Sequence, residues 1–353
     1  MKLWIFFAFI LLLYDQPENR PTDHINNKLP DEHHRQKEVV VFIYHRFGDN
    51  KYPSTNVSTA DFEGHLNYLK TNGFKVLSFG QAVDYIADPT IPYQAKVACI
   101  TIDDAFKSFF GNGYPLLRKY GFTASLFVNS ETIGGGSFMT WEEIKKVADT
   151  GIEIGNHTHS HDYYLNIPLA TRHEKFTEEV KLCQEIIKQQ IDVTPLVFAY
   201  PFGEFDNEMK HIIQTLGFKG AAAQFSGVMY DGDRFAIPRF PMTGSTTTLK
   251  SFSEKATMKA LRIVSKSPDS PFINQQNPPS LTLIADSTNA DLSRLSCFVS
   301  QGCNSAIEGN TIKITAKNPL TSRRTNYTIT APAKSGRGWY WYTHQWVIPE
   351  IKE

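Results

Sequence analysis

The chain is 353 residues long and carries 36 basic and 36 acidic side chains, so its formal charge balances and no overall field recruits nucleic acid or an acidic membrane surface. Its length supports one large domain and a smaller one, with a core that needs no staples. Partner choice must therefore come from a local site.

Met1 and Lys2 precede the apolar run Leu3–Leu13, after which polarity takes over at Asp15. One positive charge ahead of such a run has the proportions of a secretory signal and is too short for an ordinary membrane span. Residues 1–14 are expected to be a signal peptide or signal anchor, and 15–37 a polar linker. No A-x-A cleavage site stands near Tyr14, which leaves open membrane anchoring through residues 3–13. The expected location is exported: periplasmic, cell-envelope or secreted. Four cysteines fit export only modestly.

From 38 to 266, β-like runs alternate with helical patterns. The strands are read in 38–45, 75–79, 96–104, 123–129, 152–157, 195–201 and 218–224, and the helices in 61–73, 80–88, 113–121, 140–151, 178–190 and 207–217. Gly73, Gly121, Gly151 and Gly217 stand where left-handed helix caps are wanted. This alternation predicts a parallel sheet, most simply a distorted (β/α) barrel, with chemistry at the C-terminal ends of its strands. Cys99 and Cys183 fall in apolar patterns and read as inert core thiols.

Residues 267–279 are linker-like in Pro, Ser and Asn, and 280–353 read as a small all-β, sandwich-like accessory domain. Cys297 and Cys303 bracket a polar loop there and could close a short disulfide. In "GWYWYTHQWVI", Trp339 and Trp341 face one way, and Tyr340, Tyr342, His344 and Trp346 the other. Such faces either stack on sugar rings or serve as sandwich core and barrel contact.

Two segments carry chemistry. In "ITIDDAF" an apolar strand delivers Asp103 and Asp104 at its C-terminal end; the bland alternative is a helix N-cap. In "IEIGNHTHSHDYY" a strand end releases His157, His159 and His161, and a helical turn would put His157 and His161 on one side, able to share a cation. Two imidazoles and a carboxylate suit a catalytic Zn²⁺, or another divalent metal such as Co²⁺ or Ni²⁺, with positions left open. A metal so held acidifies water to a pKa of about 7, and the second carboxylate is free to act as base.

Here the sequence resembles the polysaccharide deacetylases, carbohydrate esterase family 4. "TIDDA" is similar to the family's T-F-D-D-G motif and "HTHSH" to its H-[ST]-x-x-H motif. The resemblance, which covers about residues 38–241, implies Asp103 as general base and Asp104, His157 and His161 as metal ligands, with His159 at a variable position. "FAYPFGEFD" resembles the R-x-P-[FY] segment through Pro201 and Phe202, which implies a wall of the substrate groove and a backbone N–H for the oxyanion. Ala199 replaces that motif's arginine, which orients the base, and Ala105 replaces a glycine. Arg239, in "AIPRFPM", is the candidate to supply the missing guanidinium; alternatively it pairs with a surface acid.

Expelling an amide nitrogen also requires an acid. The family places a histidine in an L-x-H motif near the end of the domain, yet residues 240–266 contain none. The exported poly-N-acetylglucosamine deacetylases form a branch with the last strand moved to the front, and "IYH", Ile43–His45, has the L-x-H form there. His45 is thus expected as general acid, on a first strand lying beside the metal site and facing Asp103 across the metal, rather than as a histidine merely closing a buried strand. The expected activity is metal-dependent removal of acetyl groups from an N-acetylglucosamine-containing polysaccharide by a monomer. The rivals are an O-acetyl xylan or glycan esterase and an inactive glycan-binding homologue.

Overall fold

The run Val39–Tyr44 is buried at every position, as its unbroken apolar sequence requires of a strand covered on both faces. The structure, a computed structural model, describes residues 36–273 and 276–352. The expected signal segment 1–14 and nearly all of the linker 15–37 lie outside the described residues. Among the described residues no helix is long and apolar enough to cross a membrane.

In chain order the first part comprises β1 (Val39–Tyr44), β2 (Arg46–Phe47), β3 (Asn56–Val57), α1 (Thr59–Thr71), β4 (Lys75–Leu77), α2 (Phe79–Ala87), β5 (Val97–Asp103), α3 (Tyr114–Tyr120), β6 (Ser125–Val128) and α4 (Trp141–Ala148). It continues with β7 (Glu153–Asn156), α5 (Leu169–Ile191), β8 (Val197–Ala199), α6 (Asn207–Thr215), β9 (Gly220–Ala222), β10 (Val228–Met229), β11 (Phe240–Pro241) and α7 (Leu249–Ala256). The main sheet runs β10-β1-β5-β6-β7-β8-β9, and from β1 through β9 its neighbours are parallel. Local signals set the helices: Ser58, Ser78, Thr140 and Asp206 cap N-termini with their side chains. The four glycines expected as caps all have positive φ.

Closure of the barrel depends on a segment too short to read as a strand. Ile237 bridges in parallel to Ala222 of β9, and three residues on, Phe240 pairs with Phe42 of β1. Residues 237–241 therefore span the gap between the last and first strands and turn Arg239 into the interior, where it is completely buried. The helix expected over 178–190 starts instead at Leu169, because Phe176, Val180, Cys183, Ile187 and Ile191 continue one buried stripe at helical spacing.

The remaining strands are β12 (Lys259–Ala260), β13 (Ile263–Ser267), β14 (Ser280–Ala285), β15 (Ser296–Phe298), β16 (Cys303–Glu308), β17 (Thr311–Ala316), β18 (Arg324–Pro332) and β19 (Trp339–Val347). They form two four-stranded sheets, β12-β19-β18-β15 and β13-β14-β17-β16, around a core that includes Leu281, Ile314, Tyr327 and Trp346. These sheets begin at Lys259, inside the stretch read as barrel; β12 is two residues long and β13 mostly exposed, so neither shows an apolar period. Cys297 and Cys303 form a disulfide, while Cys99 and Cys183 are buried free thiols. The aromatic strand β19 serves both bodies. Tyr340, Tyr342 and Trp346 pack with the sandwich core, and Trp341 meets Phe240 of the barrel edge-on with ring centroids 5.4 Å apart.

Candidate active site

The chemistry-bearing residues collect at the C-terminal strand ends. β5 ends at Asp103, and the next two residues, Asp104 and Ala105, both have positive φ (70° and 51°), a turn that costs an alanine about 1–2 kcal/mol relative to right-handed backbone. The turn separates the directions of the two carboxylates. Asp103 points inward to Arg239, whose Nη1 and Nη2 donate to its two oxygens at 2.8 Å each. Asp104 faces the histidines: its Oδ1 lies 3.5 Å from Nε2 of His157 and 3.5 Å from Nε2 of His161.

His157 and His161 do not lie on a helical turn, as their spacing suggested. The segment after β7 is a loop in which Thr158 (φ 65°) and His161 (φ 57°) are left-handed. Asn156 holds it, accepting from the Thr158 N–H at 2.9 Å and donating to the Val180 carbonyl at 2.9 Å. Nδ1 of His157 lies 2.7 Å from the Ala199 carbonyl; a carbonyl only accepts, so Nδ1 carries the proton and Nε2 offers its lone pair. The residue lacking the motif arginine thus still contributes its backbone.

The electrostatics match this division. Burial alone would raise the Asp103 carboxyl, but the Arg239 guanidinium and then His157 outweigh it and hold the pKa at about 2. Burial, with the charge of Asp103 adding to it and His45 opposing, raises Asp104 to about 6. Burial lowers His157 to about 3 and also lowers His161, so both imidazoles stay neutral. One ligand atom from each of Asp104, His157 and His161 lies within 4.8 Å of the others. Two neutral nitrogens and an oxygen converging in this way fit a divalent cation.

His45 follows β1, and Tyr44 is in register with Ile102, so His45 comes next to Asp103 across the parallel pair. It is 8% exposed, and its buried Nδ1 has no hydrogen-bond partner among the described residues. Pro201 and Phe202 lie in a short turn in which Phe202 has φ 58°. The Phe202 ring stacks on Tyr163 with centroids 3.7 Å apart and meets His161 edge-on at 4.5 Å. His159 lies outside the cluster, its Nδ1 bonded to the Ser130 hydroxyl at 2.9 Å.

Residues 90–221 match the family model described as "Polysaccharide deacetylase". Over these residues the chain is similar to the polysaccharide deacetylases. A poly-beta-1,6-N-acetyl-D-glucosamine N-deacetylase of Staphylococcus aureus is 23% identical over 239 residues, 64% of this chain and 82% of its own. The solved structure of IcaB from Ammonifex degensii is 27% identical with a TM-score of 0.55, covering 63% of this chain and 98% of that one. The deacetylase PplD of Streptococcus pyogenes, solved in complex with acetate, shares the fold at 19% identity, with a TM-score of 0.57 over 63% of this chain and 99% of that one.

Several residues of this candidate site carry no signal in the sequence. Arg46, next to His45, lies 3.5 Å from the centroid of the Phe106 ring and 3.9 Å from that of Tyr52, and pairs with Asp49 at 2.9 Å. Behind Phe202, the buried Glu204 accepts two bonds from Arg323 at 2.7 Å each and one from Arg324 at 2.9 Å. Arg323 also sits over the Tyr163 ring at 4.4 Å. Sandwich residues thus brace the groove wall. The only advance signal for Tyr163 was its place beside the histidine motif, in "HDYY".

Proposed function

We propose that this protein removes acetyl groups from the N-acetylglucosamine units of an exported polysaccharide in a metal-dependent hydrolysis. The observation that carries the reading is the two-point grip of Arg239 on Asp103 beside the Asp104, His157 and His161 cluster. Arg239, in the segment just before β11, offers a guanidinium in place of the one missing at Ala199, whose loss was the main ground for an inactive homologue. The polymer is inferred from the substrate in the name of the Staphylococcus aureus relative.

Asp104, His157 and His161 are the residues to hold the metal, Zn²⁺ or a similar divalent ion. When bound, such an ion supplies Lewis acidity toward the acetyl carbonyl and makes water more acidic. Asp103, kept ionised and aimed by Arg239, takes a proton from the attacking water; each of its oxygens retains a lone pair beyond the bond to Arg239. A backbone N–H at the Pro201–Phe202 turn faces the developing oxyanion. As the carbon–nitrogen bond breaks, His45 donates a proton to the nitrogen, which leaves as an amine, and acetate is released.

The test is acetate release from N-acetylated and O-acetylated oligosaccharides of matched length. N-acetyl substrates are expected to be cleaved by the wild type and not by Asp103→Asn; activity confined to O-acetyl esters would replace this reading with an esterase.

A further inference from the structure

A cavity of about 360 Å³ lies away from the Asp103 cluster, between barrel and sandwich. One wall comes from Gly203 and Phe205, which flank Glu204, so the Glu204, Arg323 and Arg324 pairing fixes the two bodies beside it. Gly203 also directly follows Phe202 of the groove wall. A chain lying in the groove therefore has the cavity within reach.

The opposite wall is an open strand edge. β12 pairs with β19 only at Tyr340 and Trp341, where the Trp341 carbonyl accepts from Leu261 at 3.0 Å. The same edge is next used at Val347, whose N–H donates to Pro271 at 2.8 Å. Alternate residues turn both backbone groups to the same side, so those of Thr343 and Gln345 point to this edge. They have no backbone partner there among the described residues, and both residues line the cavity. Nε2 of His344, a residue 5% exposed and also in the lining, is buried with no partner among the described residues. Burial lowers the His344 pKa to about 3, so the ring is neutral. Unpaired donors and acceptors of this kind call for a ligand that bonds them.

The charges at the cavity cancel: Lys210 pairs with Asp233 at 2.8 Å and Lys266 with Asp269 at 3.1 Å, which favours a neutral ligand over an ion. Phe205, Tyr230 and Tyr342 are partly exposed, giving apolar faces for stacking. The open edge from Tyr342 to Gln345 spans roughly 13 Å at about 3.3 Å per residue and is closed at both ends, too short for an added peptide strand. A neutral ligand with an amide, several hydroxyls and an apolar ring face meets every one of these conditions.

We propose that this cavity binds one N-acetylated amino-sugar unit of the polymer, as a second saccharide site separate from the one around Asp103. The proposal takes its substrate class from the function inferred above. The acetamido group pairs with the backbone of Thr343 and Gln345, and the sugar hydroxyls meet His344 and the paired charges. Engaging the polymer at two points raises its local concentration at the catalytic site.

The experiment uses the full chain with Asp103→Asn, titrated with a β-1,6-linked N-acetylglucosamine disaccharide. Readout is the NMR signal of the Trp341 indole, which lines the cavity and is assigned with Trp341→Phe. The signal is expected to shift saturably, and Ser265→Trp, at an exposed lining position, to abolish the shift while leaving the other signals folded. In otherwise wild-type protein, Ser265→Trp is expected to lower kcat/KM on polymer about tenfold and to leave the disaccharide within about twofold. A Trp341 signal that does not move, or that moves equally in Ser265→Trp, overturns the proposal even if acetate is released. A saturable, Ser265→Trp-sensitive shift without acetate release upholds the site and removes the deacetylase reading instead.

Discussion

Arg239 holds both oxygens of Asp103 at 2.8 Å, although the two residues are 136 positions apart and Arg239 is fully buried. Removing the guanidinium leaves an uncompensated buried carboxylate, which costs about 3–5 kcal/mol. Arg239→Met is therefore expected to unfold at markedly lower temperature. Where it still folds, the acid limb of its pH–rate profile should move upward, because Asp103 then protonates at higher pH; an unmoved limb would separate Arg239 from the base.

His45→Gln tests the acid. Among the described residues its buried Nδ1 has no hydrogen-bond partner, so the substitution breaks no bond there. The variant should keep its metal and lose about 10²–10⁴-fold in kcat on N-acetyl substrates, with a smaller loss on O-acetyl esters, whose leaving group needs less protonation. Near-wild-type amide cleavage would move the acid elsewhere.

Glu204→Gln removes the charge that Arg323 and Arg324 share. Breaking a buried pair in this way costs about 3–5 kcal/mol. Because Arg323 sits over Tyr163 and Tyr163 stacks on Phe202, KM is expected to rise more than kcat falls. Equal effects on both constants would mean that the brace does not shape the groove.

Stability should depend on pH through buried histidines that are not part of the Asp104, His157 and His161 cluster. Burial lowers His65 to about 4 and His344 to about 3, from an ordinary value of 6.5. The unfolded chain binds these protons more readily, so the contribution is complete above pH 6.5 and is lost as pH falls toward 4 and then 3. Urea midpoints of metal-free protein should drop across that window, and His344→Gln should flatten the lower part. A profile unchanged by His344→Gln would contradict the assignment.

Much of the site was legible because its parts are local. Asp103, Asp104, His157 and His161 each close or follow a strand whose apolar run marks its end. The route by which the histidines converge was not, since left-handed backbone at Thr158 and His161 replaces the expected helical turn. Arg239 was only a candidate, because its direction depends on residues 237–241 closing the barrel through single pairings that leave no periodic signal. The bond from Arg323 to Glu204 crosses 119 residues between two differently patterned regions, and no local rule points to it. The start of the sandwich was misplaced for a related reason: β12 is two residues long and takes its strand geometry from β19.

The central claim is that Asp103 and the Asp104, His157 and His161 cluster together cleave acetamides. The most direct measurement is acetate released from a β-1,6-linked N-acetylglucosamine oligosaccharide by wild type, His157→Ala and chelator-treated enzyme, with metal content determined on the same samples. Wild type is expected to release acetate, His157→Ala to lose both metal and turnover, and chelated enzyme to regain activity when Zn²⁺ is returned. Full acetate release after complete removal of the metal would contradict it.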